Sequence, residues 1–106
     1  MMTEAEFEKL SKMEMAALLE ALDELDPDLV DVDSAGGVLN VTIADGPVIV
    51  INSHRAALQI WMAAVDTAWH FDPKEEGWLD NKSGNKLRPV LAQIIKTHTD
   101  LELSFS

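Results

Sequence analysis

The residues with the clearest chemical potential in this sequence are the carboxylates between positions 20 and 33. This stretch, the acidic segment, holds seven acidic residues and no basic one: Glu20, Asp23, Glu24, Asp26, Asp28, Asp31 and Asp33. Carboxylate oxygens without imidazole or thiolate neighbours favour hard cations such as Mg²⁺, Ca²⁺, Mn²⁺ and the iron ions. We therefore predict a weak, unselective cation-binding surface. The alternative is a solvated acidic face with no ligand.

Three of these carboxylates carry an energetic cost if the chain is helical there. Glu20, Asp23 and Glu24 stand at positions i, i+3 and i+4, so a helix would place them on one face near its carboxyl end. Each like-charge pair costs roughly 0.2–0.5 kcal/mol, and each charge opposing the helix dipole costs about 0.3–1 kcal/mol more. Stability alone would favour Lys or Arg, so the pattern indicates a function.

A dedicated calcium loop is the obvious competitor for these residues. Residues 31–36 begin like an EF-hand, with acids at its first and third positions and glycine at its sixth. The fifth position, however, is Ala35, and the twelfth is Thr42, where the loop needs a bidentate Glu. The sequence therefore excludes an EF-hand.

Periodic apolar residues predict one helix near each end of the chain. From residue 3 to about residue 25 they recur every three or four positions, as on an amphipathic helix. Thr3 and Glu6 have the spacing of a capping box, and Pro27 prevents further continuation. A second, shorter helix is predicted from residue 87 to about residue 97.

Between the helices the sequence predicts about six short strands. They cover residues 30–33, 38–44, 48–52, 58–65, 68–72 and 78–80. The connections are short, and Asp45-Gly46 is typical of a two-residue hairpin turn, so we expect antiparallel pairing. The expected fold class is α+β, a two-layer α–β sandwich with both helices on one face of the sheet. At 106 residues, the chain has room for a single domain, residues 1–106.

Trp61 is the candidate for a protein contact outside the acidic segment. On a strand, Leu58, Ile60 and Met62 share one face and Trp61 lies on the other. The aliphatic row is the better core, which leaves Trp61 on the open face of the sheet. An exposed tryptophan is typical of an interface. Packing of Trp61 in the core is the alternative.

The remaining polar residues form no recognisable catalytic pattern. His54, His70 and His98 lack the close spacing of histidine metal ligands, and we assign them no role. The sequence contains no cysteine, which excludes disulfides, thiolate catalysis and cluster ligation through sulfur. Neither a serine triad nor a glycine-rich phosphate loop is present. We therefore expect a protein that is not an enzyme.

The net charge of −11 is concentrated in the first third of the chain, where residues 1–33 hold eleven of the 19 acids. Such a charge repels phosphate backbones and anionic lipids, so we expect neither nucleic acid nor membrane as a partner. The longest apolar run, residues 60–65, is far shorter than the roughly 20 residues that span a bilayer. The acidic N-terminus lacks the pattern of a targeting signal, so we expect a cytoplasmic protein.

Five motifs occur in one order over essentially the whole chain. They are Leu22-Asp23-Glu24-Leu25-Asp26, Gly36-Gly37-Val38-Leu39-Asn40-Val41, Asn52 followed by Gln59-Ile60-Trp61-Met62-Ala63, Trp69-His70-Phe71-Asp72, and Trp78-Leu79-Asp80-Asn81-Lys82-Ser83-Gly84. In this combination the sequence resembles the bacterial frataxins, a family linked to iron and to iron–sulfur cluster assembly. Ala57 stands where the family usually has Pro, and residues 67–68 stand where it often has Gly-Gly, which affects turns more than chemistry.

The resemblance implies the same α–β sandwich and makes the acidic segment an iron-binding surface. The family's iron-associated carboxylates correspond here to Glu20, Asp23, Glu24, Asp26, Asp31 and Asp33, and Asp28 lies in a connection one residue shorter than usual. The expected ion is Fe²⁺ or Fe³⁺, weakly bound and replaceable by other hard or divalent cations. The resemblance also implies a cysteine desulfurase and an iron–sulfur scaffold protein as partners, with Trp61, Gln59 and Asn52 on the partner-binding surface.

The predicted function is therefore that of a monomeric, iron-binding regulator of iron–sulfur cluster assembly. Two alternatives stay open. One is an iron-oxidising or iron-storage protein, although the sequence has no Glu-x-x-His pair for a ferritin-like di-iron site. For the oligomeric state, metal-dependent oligomers are the alternative to the monomer. The other is an acidic interaction module that works without metal.

Overall fold

The computed structural model describes residues 2–105. In chain order, one helix precedes the six strands of the sheet and a second helix follows them. The elements are α1 (Glu4–Asp23), β1 (Val30–Ala35), β2 (Val38–Ile43), β3 (Val48–His54), β4 (Gln59–Ala64), β5 (Thr67–Lys74), β6 (Gly77–Asp80) and α2 (Leu87–Thr99). A 3-10 turn, Arg55–Ala57, joins β3 to β4. Within the described range, no helix is both long and apolar enough to cross a membrane.

The first helix begins at the predicted capping box. The Thr3 hydroxyl accepts the N–H of Glu6, and the Glu6 carboxylate accepts the N–H of Thr3, both at 3.1 Å. The pKa of Glu6 is lowered below its ordinary value, mainly by the backbone N–H of Thr3 and to a smaller extent by the Thr3 hydroxyl, because both interactions favour the charged form. The helix ends at Asp23, and the chain then turns through Pro27 into β1.

The sheet is a meander in the order β1-β2-β3-β4-β5-β6, and every neighbouring pair is antiparallel. The short connections bring each strand next to the one before it, as expected for antiparallel pairing. One face packs against the helices, and the other is open. Completely buried side chains on the packed face and on the helices form the core: Phe7, Leu18, Leu22, Val41, Ile49, Ile51, Ile60, Phe71, Leu91 and Ile95. The predicted α+β sandwich is confirmed.

One ion pair joins the two helices. Glu14 of α1 is buried, and its carboxylate accepts hydrogen bonds from Arg88 of α2, from Nε at 2.9 Å and from Nη2 at 2.8 Å. The hydrogen bonding with Glu14 raises the pKa of Arg88 above its ordinary value. The Arg88 guanidinium also lies 4.5 Å from the centre of the Phe105 ring. Arg88 therefore connects both helices to the C-terminal segment.

Two local predictions are wrong. Four residues, 44–47, separate β2 from β3, so the Asp45-Gly46 turn is longer than the expected two residues, and Ile43 donates its N–H across it to the carbonyl of Pro47 at 3.3 Å. Glycine gives the turn room, since a Cβ on Gly46 would lie 3.0 Å from Cγ2 of Ile43, closer than an ordinary van der Waals contact. Leu58 does not begin β4 but follows the 3-10 turn with a φ of 55°, although its side chain still packs against the core as expected.

Candidate functional site

The acidic segment begins on the last turn of α1. Glu20 and Asp23 lie in the helix and Glu24 is its C-cap, and all three side chains are exposed. The last turn contains no basic residue, so these charges oppose the negative end of the helix dipole. Glu20 and Glu24 also border a small depression formed with Phe105 of the C-terminal segment.

Asp26 and Asp28 lie in the connection between α1 and β1. The Asp26 carboxylate accepts the N–H of Asp28 at 2.9 Å. The carbonyl of Asp26 accepts the N–H groups of Leu29 at 3.0 Å and Val30 at 2.9 Å. Asp26 therefore stabilises the turn that leads into the sheet, and both carboxylates remain exposed.

Asp31 and Asp33 project from β1, which is an edge strand of the sheet. In the antiparallel register they lie opposite Thr42 and Asn40 of β2. Val30, at an alternate position of the strand, is buried in the core. Because side chains alternate along a strand, both carboxylates lie on the open face of the sheet, away from the helices.

The acidic segment therefore runs from the end of α1 to the open face of the sheet edge. All seven carboxylates are exposed. Among residues 2–105, no three His, Asp or Glu side chains come close enough to form a ready-made metal site. Separate exposed carboxylates bind hard cations weakly, with water completing the coordination shell. Their assignment as metal ligands stays a prediction.

The open face carries a row of polar and aromatic side chains. Asn52 of β3, Trp61 of β4 and His70 of β5 are register partners across three strands, and all three are half-buried. Trp61 thus lies on the open face, as the strand alternation predicts. Its Nε1–H donates to Oε1 of Gln59 at 2.8 Å, and Nε2 of Gln59 donates to Asp72 at 2.9 Å.

Two histidines enclose the Trp61 indole. Its ring centroid lies 3.9 Å from that of His54 and 4.4 Å from that of His70, each with an interplanar angle of 19°. Sequence spacing indicates no such contact, because the rings come from three different strands. The contact with His70 alone could have been predicted, because a hairpin turn at residues 65–66 places His70 opposite Trp61 on the neighbouring strand.

Apolar side chains continue the open face toward β1. Val48 and Val50 of β3 are 51% and 37% exposed, and Ala63 of β4 is exposed beside Val50. Val50 lies opposite Asn40, whose partner on the other side is Asp33. The open face therefore joins an aromatic and aliphatic patch to two carboxylates of the acidic segment.

Asp80, the last residue of β6, binds the backbone of His70 at one end of the row of Asn52, Trp61 and His70. This buried carboxylate accepts the N–H of His70 at 3.0 Å, together with the N–H of Ser83 at 3.0 Å and its hydroxyl at 2.8 Å. Burial raises the pKa of Asp80, but the hydrogen bonds from Ser83 and His70 outweigh it and hold the pKa below its ordinary value. Asp80 therefore fixes the end of β6 to the backbone of His70.

A groove of about 510 Å³ lies elsewhere, between α1 and the turn that joins β1 to β2. Its lining includes Lys12, Met15 and Leu19 of α1, together with Val38 and Arg55. It contains none of the carboxylates of the acidic segment and does not reach Trp61.

Comparisons of the sequence with known proteins agree with the resemblance. A family model described as the frataxin-like domain matches residues 1–101. Relatives from Shewanella sp. (strain W3-18-1) and Shewanella putrefaciens are each 35% identical to this chain, and each alignment covers 98% of both proteins. Both relatives are named iron-sulfur cluster assembly protein CyaY.

Comparisons of the fold lead to the same family. Frataxin from Psychromonas ingrahamii superposes with a TM-score of 0.90 at 25% identity and covers 99% of both chains. Trimeric frataxin from the yeast Saccharomyces cerevisiae, in a ferrous complex, has a TM-score of 0.69 at 27% identity over 95% of this chain and 89% of that one. Because sequence and fold agree over nearly the whole chain, this protein belongs to the bacterial frataxin family.

Proposed function

We propose that this protein is a non-enzymatic accessory factor of iron–sulfur cluster assembly that binds iron weakly and docks on a cysteine desulfurase and its scaffold protein. The names of the CyaY relatives and the ferrous complex of the yeast protein support the process and the ion. The observation that carries the proposal is the acidic segment, whose seven carboxylates are exposed although three of them oppose the dipole of α1.

The chemistry of the donors suits transient handling of iron. Oxygen ligands on an open surface accept Fe²⁺ or Fe³⁺ without enclosing it, and the sequence has no thiolate to hold it. Cluster-forming cysteines on a partner bind iron more strongly than exposed carboxylates do. Iron is therefore a cargo of this surface, and we expect Mn²⁺, Co²⁺ and trivalent lanthanides to bind at the same place.

Docking uses two adjoining surfaces. The acidic segment attracts a basic partner surface, and the open face of the sheet offers Trp61 with Gln59 and Asn52 as an aromatic and amide contact. Asp31 and Asp33 belong to both surfaces, because they project from the open face of β1. The geometry therefore supports one partner that contacts the edge and the face of the sheet together.

An anaerobic titration with Fe²⁺, followed by backbone NMR, tests the metal site. Paramagnetic broadening confined to residues 20–33 is the expected result. The double variant Asp23→Lys and Glu24→Lys weakens this broadening, whereas Glu75→Lys with Glu76→Lys, the same charge change in the exposed β5–β6 turn, leaves it in place. Broadening centred on His70 or on α2 would contradict the proposed site.

A metal-independent interaction module is the second candidate. It is favoured by one observation, that the described residues contain no ready-made group of three metal-binding side chains. Binding to the desulfurase–scaffold complex in metal-free buffer distinguishes the two. Affinity that stays unchanged when Fe²⁺ is added, together with no broadening in the titration, would select the module and remove iron from the proposal.

A further inference from the structure

The three-ring stack on the open face has a geometry that its neighbours fix. His54 is the last residue of β3, Trp61 lies within β4 and His70 lies within β5. The indole lies between the two imidazoles, with its ring centroid 3.9 Å from that of His54 and 4.4 Å from that of His70. The rings are within 19° of parallel. Both faces of Trp61 are therefore covered, and a partner meets the edges of the stack.

Hydrogen bonds hold the rings of His54 and Trp61 and the backbone of His70 in place. Nδ1 of His54 accepts the N–H of Ala57 at 3.3 Å, so the neutral ring carries its proton on Nε2. The indole of Trp61 donates to Gln59. The backbone of His70 donates to Asp80 and accepts the N–H of Asn81.

Five charged residues lie on the elements next to the stack, and three of them have partners of their own. They belong to the 3-10 turn, to β5, to β6 and to the turn that follows: Arg55, Asp72, Lys74, Asp80 and Lys82. Arg55 pairs with Glu8 at 2.7 Å, and Asp72 accepts the Gln59 amide. Asp80 is bound to the backbone of His70 and to Ser83. The carboxylates nearest the stack are thus engaged with groups other than the imidazoles.

We propose that His54 and His70 are positioning residues that hold Trp61 for docking and make docking sensitive to pH. With neutral imidazoles the stack is an uncharged aromatic contact. When His70 gains a proton, positive charge lies against one face of Trp61 and weakens docking onto a basic partner surface, whereas a second proton on His54 would cost the hydrogen bond from Ala57. This inference rests on the docking proposed above.

Two physical arguments support this behaviour. Histidine is the side chain whose charge ordinarily changes between about pH 5 and 8. An imidazolium over an indole face is attracted to the ring, so His70 keeps its contact with Trp61 when its charge changes. A like charge brought against a basic partner surface then opposes association.

Tryptophan fluorescence tests the stack without a partner. Subtracting the emission of a Trp61→Phe variant removes the signal of Trp69 and Trp78. The Trp61 emission is expected to change between about pH 5 and pH 8 in the wild type. In the double variant His54→Gln and His70→Gln this change disappears, whereas His98→Gln, which removes an imidazole on α2, retains it. An unchanged titration in the double variant overturns the inference.

Affinity for the desulfurase–scaffold complex, measured at about pH 5.5 and at about pH 8, tests the consequence for docking. The wild type and His98→Gln are expected to bind roughly three- to tenfold more weakly at the lower pH. The double variant, which also controls for titration of the partner, shows a smaller ratio. Equal ratios in the wild type and the double variant overturn this inference alone. A wild type that binds at neither pH overturns the proposed docking as well.

Discussion

At the scale of the residue, Asp80 shows how hydrogen bonds stabilise a buried charge beneath the row of Asn52, Trp61 and His70. Asp80 is 7% exposed, and its carboxylate accepts hydrogen bonds from Ser83 and from the backbone of His70. Since its pKa is lower in the folded protein than in the unfolded chain, the folded state binds fewer protons. The stabilisation is therefore complete above the ordinary aspartate pKa of 3.8 and is lost as the pH falls below it.

The variant Asp80→Asn should destabilise the protein by about 2 kcal/mol at neutral pH, because charge-assisted hydrogen bonds to N–H and O–H donors are lost. The difference from the wild type should shrink as the pH falls below the ordinary aspartate range. Urea unfolding at several pH values measures both effects. Glu75→Gln, an exposed carboxylate in the β5–β6 turn, serves as the control with little effect. A pH-independent loss in Asp80→Asn would point to packing instead of charge.

At the scale of the element, α1 has acidic residues at both ends. Glu4 and Glu6 occupy its first turn, where negative charge and the capping box stabilise a helix. Glu20 and Asp23 occupy its last turns without a compensating base. The same charge therefore has opposite effects on stability at the two ends of one helix.

Neutralising the carboxyl end, with Glu20→Gln and Asp23→Asn, should stabilise the metal-free protein by about 1 kcal/mol at low salt. For a domain of this size, the melting temperature should rise by roughly 4–8 °C. The matched double variant Glu4→Gln and Glu6→Gln should lower it. Thermal unfolding by circular dichroism measures all three proteins.

Adding a cation should reproduce part of this gain in the wild type, because an ion that binds only the folded state stabilises it. The variant with Glu20→Gln and Asp23→Asn should gain less. If it responds to metal as fully as the wild type, the cation binds elsewhere.

At the scale of the whole molecule, Arg88 joins parts of the chain that sequence separates. It pairs with Glu14, which is 74 residues away, and covers the Phe105 ring. The Glu14 side chain is 8% exposed and that of Arg88 is 43% exposed, so removal of the arginine leaves a carboxylate with little access to water. In the pair of Arg55 and Glu8 both side chains are exposed to water, so removal of Arg55 leaves no buried charge.

The variant Arg88→Ala should therefore cost about 2–3 kcal/mol, reduced from the full penalty of a buried pair by the exposure of Arg88. Arg55→Ala should cost at most about 1 kcal/mol. A double-mutant cycle with Glu14→Gln, measured by urea unfolding, should give a coupling energy of roughly 1–2 kcal/mol. Equal losses in Arg88→Ala and Arg55→Ala would show that the pair of Arg88 and Glu14 is not special.

The sequence determined the elements and their order. The three- and four-residue period of α1, the alternation of β1 and the short turns are local properties, and consecutive antiparallel strands follow from them. The positions of Trp61 on the open face and of Asp31 on the edge strand follow from the same alternation. The acidic segment itself is a property of composition and spacing.

Only the tertiary structure decided which distant side chains meet. The stack of His54, Trp61 and His70 depends on the pairing register of three strands, which a one-residue slip would reverse. The contact of Arg88 with Glu14 depends on how the two helices pack on the sheet. Local periodicity carries no information about these contacts, because each arises from the relative placement of elements and not from the sequence within any one of them.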